Sequence, residues 1–303
     1  MPPKSPGHPG HPAPTRVLLV RCPDATGVVA AVSGALADLG LNILDADQHA
    51  DPDINRFFMR VGFTAPDKQR DPLEHALTPL AERLNLDYEL RWSDAPPRVA
   101  ILAGPQTHCV SDLLWRASDN LGGGELDCTI TGVISNHTTA EPLARGFTVP
   151  FAHIPLETDT PADQHARNAQ ETAVLDELAR QQPDLVILAR YMRVLSPRAV
   201  AAYPGRIINI HHSFLPAFAG ARPYHRAFER GVKLIGATAH YVTDDLDEGP
   251  IIAQQTRPVS HRDTVADLVR KGRDLERVVL AEAVRLHLEG RVMVEGRRSV
   301  VFD

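Results

Sequence analysis

Three polar side chains, Asn209, His211 and Asp247, could carry chemistry in this chain. An amide donor, a titratable imidazole and a carboxylate can together stabilise an oxyanion and shuttle a proton, which is what moving a small acyl group demands without a metal. Singly, each has a plainer reading: asparagine at a strand end forms turns, a lone histidine is more often structural, and acidic loop residues are usually solvated. Their joint placement argues for an enzyme. Asp244, Asp245, Asp247 and Glu248 crowd one loop, so mutual repulsion is expected to raise at least one carboxyl pKa.

The elements around these residues must position them. Residues 206–210, a β-branched run after Pro204-Gly205, read as a buried parallel strand, and the carboxyl end of such a strand is where open α/β sheets bind ligands. The stretch His211-His212-Ser213-Phe214-Leu215-Pro216 has no helical period and is interrupted by its proline. A second β-rich segment, residues 234–242, runs into the acidic loop and sets Asp247 at the end of a neighbouring strand. Two strand ends are therefore expected to converge on one cleft. His240, Thr238, His137 and Ser213 are candidates to hold His211 or a water in place; core-facing positions for Thr238 and His240 and a loop end for His137 are the competing readings.

Elsewhere the pattern gives two domains. The chain has 303 residues and is 43% hydrophobic, enough for more than one core. Its net charge of −6 gives no basic footprint for nucleic acid. No apolar run is long enough to cross a bilayer, and residues 1–14 lack the apolar core of a signal peptide; they read as a disordered tail in which His8 and His11 are not expected to form a metal site. Cys22, Cys109 and Cys128 are odd in number with no C-x-x-C spacing, which argues against disulfides and zinc and for a reducing cytoplasm. Gly122-Gly123-Gly124 precedes a strand and reads as a helix cap rather than a phosphate cradle.

From residue 15 to 92 the order is βαββαβ, with strands over 17–20, 42–49, 56–64 and 86–90 and helices over 28–39 and 72–84. Residues 93–97, Ser-Asp-Ala-Pro-Pro, form a stiff linker. From 98 to 303 strands over 99–103, 126–135, 151–154 and 185–189 alternate with helices over 110–120 and 164–181, as a doubly wound, mostly parallel Rossmann-like α/β sheet requires. A helical segment over 264–288 and a closing pair near 291–294 and 299–302 complete it.

The stretch from Asn209 to Ile252, NIHHSFLPAFAGARPYHRAFERGVKLIGATAHYVTDDLDEGPII, resembles the folate-dependent formyltransferase superfamily, and HHSFLPAF with KLIGATAHYVT and DEGPII is most similar to its formyltetrahydrofolate deformylase branch. The resemblance implies that Asn209, His211 and Asp247 are the catalytic set. Its transformylase sisters usually carry proline at the position of His212. Residues 188–195, LARYMRVL, resemble the superfamily's folate-binding segment, which implies folate contacts for Leu188, Met192, Arg193, Val194 and Leu195. Val242 and Thr243 would form the opposite wall, and Arg193 would pair with the glutamate carboxylate. Asn136-His137 follows its strand as the family's SNH does, which implies a place on the acceptor side.

Transformylases with phosphorylated amine acceptors carry a Gly-Ser-Gly-like loop after their first strand, whereas residues 104–109 here are Gly-Pro-Gln-Thr-His-Cys. Proline removes a donor and bulkier side chains fill the cradle, so water is the expected acceptor. The implied reaction is hydrolysis of 10-formyltetrahydrofolate to tetrahydrofolate and formate, balancing one-carbon folate pools and supplying formate for purine synthesis. No cofactor is implied, the folate being the substrate. Asp247 would position the water, and Asp247, His211 or a relayed water would protonate N10. Formyl transfer to an amine and a noncatalytic amino-acid sensor are the alternatives.

CPDATGVVAAVSGALADLGLNILDADQHA, within the βαββαβ order, resembles an ACT domain, a ferredoxin-like module that often binds amino acids at dimer interfaces. Asp24, Gly27 and Asn42 are its candidate effector ligands, because the loop over 22–27 opens onto a helix N-terminus that suits a carboxylate. The same residues equally fit a turn and its cap. Exposed edges of such a sheet imply a homo-oligomer.

Overall fold

The computed structural model describes residues 15–93, 95–118, 124–156, 163–216 and 223–302. The tail with His8 and His11, Gly122, Gly123 and Asp94 fall outside them. The chain divides into two compact units, one reaching Ala95 and the other running from Pro96 to Val301.

In the first unit β1 (Thr15–Pro23), α1 (Val28–Asp38), β2 (Asn42–Asp51), β3 (Arg56–Thr64), α2 (Arg70–Leu84) and β4 (Asp87–Arg91) follow the expected order. The sheet runs β2-β3-β1-β4 with every neighbour antiparallel. Val28, Val32 and Leu36 recur at helical spacing on α1 and meet Leu73 and Leu77 of α2 in one core with β1 and β3.

The second unit contains β5 (Arg98–Ala103), α3 (His108–Arg116), β6 (Thr129–Ser135), α4 (Glu141–Gly146), β7 (Phe151–His153), α5 (Gln164–Gln181), β8 (Leu185–Ala189), α6 (Pro197–Ala202) and β9 (Ile207–His211). It continues with α7 (Pro223–Arg230), β10 (Leu234–Tyr241), β11 (Ile251–Pro258), α8 (Val265–Leu288), β12 (Val292–Glu295) and β13 (Arg298–Val301). Seven strands form one sheet in the order β11-β10-β9-β8-β5-β6-β7. Those from β7 to β9 are parallel, and β10 runs against both β9 and β11. Every residue of β8 is buried, as a strand covered on both faces demands. One core lies between the sheet and α3 and α8, and another on the opposite face against α5.

Several boundaries differ from expectation for physical reasons. Helix α3 stops at Arg116 rather than 120 because the N–H groups of Ser118 and Leu126 donate to the Trp115 and Arg116 carbonyls, diverting the helix end. The short helices α4, α6 and α7 span too few turns to show a period. Strand β11 is a polar, largely exposed edge, so it carries little of the alternation that marks a strand. Thr264 closes a capping box with Asp267 at the start of α8.

Candidate active site

Alternation along β9 sends Ile208 and Ile210 into the core that includes α8, and Asn209 and His211 to the other face. The antiparallel register with β10 sets His240 opposite Asn209 and Thr238 opposite His211. Directly opposed residues share a face, so four polar side chains form one patch, with Leu188 of β8 beside Asn209 on its other flank.

The expected meeting of two strand ends needs correction. Because β10 is antiparallel to β9, its carboxyl end lies at the other end of the pair, and Asp247 returns to the patch through the loop that follows. That loop folds tightly: the Tyr241 N–H donates to the Pro250 carbonyl at 2.9 Å, and a Cβ on Gly249 would lie 1.8 Å from the Tyr241 carbonyl oxygen. Asp247 itself has φ 58°, a left-handed conformation that costs a non-glycine residue ~1–3 kcal/mol.

The result is a connected set. His211 Nδ1 lies 3.3 Å from Asp247 Oδ1, and His240 Nε2 lies 3.7 Å from the same oxygen. His240 Nδ1 is 2.9 Å from the Tyr241 carbonyl. A carbonyl only accepts, so Nδ1 carries a hydrogen, and His240 Nε2 is left to bond with the Asn209 amide nitrogen at 3.2 Å. That bond fixes the asparagine amide. His211 is 5% exposed, yet its Nε2 is buried without a hydrogen-bond partner. An atom so left costs about 1–3 kcal/mol, which a substrate oxygen would offset.

The imidazoles of His211 and then His240 beside it hold the Asp247 carboxyl well below the usual carboxylate range, against the opposing effect of burial. The expected rise from crowding with Asp244, Asp245 and Glu248 is therefore overturned at Asp247: two imidazoles outweigh its acidic neighbours. A depressed carboxyl contributes stability above its unfolded value of 3.8 and loses it as pH falls through the folded value. The stability gap between the wild type and Asp247→Asn should thus stay constant above about pH 5 and close below pH 4, measured by denaturant unfolding.

Thr238 is fully buried. Its hydroxyl donates to the Ser213 carbonyl at 2.9 Å and accepts from the Leu215 N–H at 3.0 Å, while Gln254 Nε2 donates to it at 2.9 Å. Thr238 and Ser213 thus pin the segment after His211, Ser213 through its carbonyl. His240 stands closer than expected, touching Asn209 and Asp247 directly. His137 does not join them: it is exposed, contacts Asn136 and Ser135, and follows β6, three strand positions from β9 or roughly 14 Å at normal spacing. Its expected support of His211 finds no contact among the described residues.

Around the patch, Leu188 is buried, Leu195 and Val242 pack against the same core, and Thr243 donates to the Asp245 carbonyl. Met192 is 61% exposed, Val194 70% and Leu246 63%, an open apolar rim. Arg193 is half-buried with no ion-pair partner among the described residues. In the first unit Asp24 and Asn42 are exposed, and Gly27 caps α1 at φ 93° with no side-chain cap. The turn-and-cap reading accounts for Gly27 itself, since that φ favours glycine.

A second polar cluster was not expected. Glu276 of α8 is 1% exposed; Tyr224 donates to it at 2.6 Å, His108 Nε2 lies at 2.8 Å and Arg190 Nε at 3.5 Å. Burial alone would raise its carboxyl, but His108, Arg190 and Tyr224 more than offset that and keep it lowered. His108, Cys109 and Glu276 are of metal-ligand type and lie close together; the Glu276 oxygens are already engaged, and burial holds the Cys109 thiol well above its usual range, which disfavours the thiolate a metal needs. The sequence does carry a signal here: Glu276 shares the buried stripe of Gly272, Leu275, Val279, Leu280 and Ala283, where a charge demands partners.

Known proteins match this architecture along nearly the whole chain. Residues 97–284 match the formyl transferase family model and residues 16–77 the ACT domain model. A formyltetrahydrofolate deformylase of Synechocystis sp. is 49% identical over 95% of this chain and 98% of its own. The crystal structure of a formyltetrahydrofolate deformylase from Pseudomonas syringae pv. tomato superposes with a TM-score of 0.87 at 43% identity, covering 95% of this chain and 94% of that one. One from Burkholderia mallei gives 0.84 at 45% identity, covering 95% and 99%. With both family models matched in turn along the chain, the polar patch lying within the formyl transferase range, and relatives 43–49% identical over nearly its whole length, the chain belongs to the formyltetrahydrofolate deformylase family.

Proposed function

We infer that the protein hydrolyses 10-formyltetrahydrofolate to tetrahydrofolate and formate, balancing one-carbon folate pools and supplying formate for purine synthesis. The observation that carries the reading is the sealed, unpartnered Nε2 of His211, whose Nδ1 rests on the Asp247 carboxylate and whose neighbour is an amide fixed by His240. A protonated His211 and the Asn209 amide would receive the charge that develops on the formyl oxygen as water attacks. Asp247 stabilises the imidazolium and helps position the water. No cofactor enters this scheme. N10 bears an aryl group and is weakly basic, so its protonation has to accompany C–N cleavage.

The exposed apolar side chains of Met192, Val194 and Leu246, with Leu188, Leu195, Val242 and Thr243 beside them, suit the faces and edges of the folate rings. Arg193 has no carboxylate partner among the described residues and suits the glutamate end of the substrate. The ACT unit is the place for an amino-acid effector at Asp24, Gly27 and Asn42, and the exposed edges β2 and β4 suit pairing into a homo-oligomer. A reducing cytoplasm goes with this reading, since Cys22, Cys109 and Cys128 are free thiols.

The test is direct: purified protein in buffer with 10-formyltetrahydrofolate should release one formate per tetrahydrofolate without an added amine. Turnover that appears only with an amine acceptor would refute hydrolysis in favour of transfer.

A further inference from the structure

His212 adjoins the catalytic patch but has no part in the scheme above. Its imidazole is 8% exposed and lies between two rings, with centroids 5.0 Å from that of His211 and 6.4 Å from that of Tyr224. Neither ring nitrogen has a hydrogen-bond partner among the described residues. A largely buried polar ring with no partner among the described residues is suited to seating a water.

The surroundings brace this ring. Tyr224 packs beside it and donates to Glu276, which His108 and Arg190 also approach. Gly272 is what admits the tyrosine, since a Cβ there would lie 2.1 Å from the Tyr224 hydroxyl oxygen. Around His212 stand Arg190 and His211, which oppose its protonation, and Glu276 and Asp247, which favour it; burial, Arg190 and His211 prevail and hold it down at about 4. The imidazole therefore stays neutral near pH 7 and presents one unshared pair.

We propose that His212 seats the attacking water and carries its proton to N10. This rests on the hydrolytic reading and supplies the proton path that it lacks. As the water oxygen bonds to the formyl carbon, one O–H bond breaks to the unshared pair of a His212 nitrogen, and the carbonyl π pair moves onto the oxygen held by Asn209 and His211. On collapse the C=O re-forms and the C–N10 bond breaks. N10 keeps that electron pair and takes the proton from His212, leaving formic acid, which ionises in solvent. Asp247 is a poorer carrier, because its carboxylate is engaged by two imidazoles. An imidazolium held at low pKa is correspondingly the better acid toward a weakly basic nitrogen.

The test compares the wild type with His212→Gln and His212→Ala. Glutamine can hold a water but cannot take its proton, so both variants should lose about 100-fold or more in kcat with KM nearly unchanged, and added imidazole should restore part of the His212→Ala rate. A folded His212→Gln that turns over at the wild-type rate overturns the proposal. So does a single-turnover chemical step in the wild type with no solvent deuterium isotope effect, a measurement that needs no variant to fold. Wild-type turnover measured alongside separates the two readings: failure of hydrolysis appears as a wild type that releases no formate, failure of this proposal as unimpaired His212 variants.

Discussion

Replacing Asp247 by asparagine is expected to lower kcat for formate release about 1,000-fold, at the upper end of what removing one charge-stabilising group costs. The side chain keeps its size, so the loop on which it sits has no steric reason to move. The charge is what disappears. His211 Nδ1 then faces an amide rather than the carboxylate at 3.3 Å, and His240 Nε2 faces the same replacement at 3.7 Å. Without it the His211 imidazolium has no buried partner, and charge on the formyl oxygen is met by the Asn209 amide alone. KM should change little, because the apolar rim at Met192, Val194 and Leu246 lies outside the exchange. Steady-state formate and tetrahydrofolate measurements on protein of unchanged circular dichroism check this; a variant within tenfold of the wild type would remove Asp247 from the chemistry.

How much of this site could be read before the fold was known depends on the kind of interaction. Asn209 and His211 are two apart in a β-branched run, and period-two alternation alone puts them on one face of a strand. Their partner strand was legible as well, since residues 234–242 carry the same composition. What sequence could not convey was the direction of β10. Pairing in the parallel sense would bring strand ends together, whereas the observed antiparallel register lays His240 against Asn209 and Thr238 against His211, turning two expected supporting residues into direct neighbours of the catalytic pair. The lack of a contact between His137 and His211 has a related cause: its place after β6 is a property of strand order, in which β5 and β8 separate it from β9.

The first unit was legible because its six elements are each punctuated by local signals. Gly27 and Gly40 bracket α1, and Asp51-Pro52-Asp53 separates β2 from β3. The Glu276 cluster illustrates the opposite case. Tyr224 and Glu276 are 52 residues apart and His108 and Glu276 are 168 apart, so only tertiary packing reveals that a charge on α8 is buried and paired. The crowded acids show the same limit, since their proximity in sequence suggested repulsion while the two histidines that decide Asp247 stand on β9 and β10.

Gly249→Ala should cost about 100-fold in kcat although residue 249 carries no chemistry, because a misplacement of about 1 Å at a reacting group is worth that much. A Cβ at this position would lie 1.8 Å from the Tyr241 carbonyl oxygen and 2.9 Å from its carbon, where ordinary contact begins at 3.4 Å. The obstacle is backbone at the end of a buried strand, so no rotamer change relieves it and the loop has to retreat by well over an ångström. Asp247, two residues away and already held at a left-handed φ of 58°, moves with it and leaves His211. The loss therefore runs through the carboxylate, and a mutant cycle can show it: two changes acting on one interaction are non-additive. Introduced into Asp247→Asn, the alanine should lower kcat by no more than a few-fold further. A full additional loss of about 100-fold in that background would mean that Gly249 shapes the site by some route other than placing Asp247.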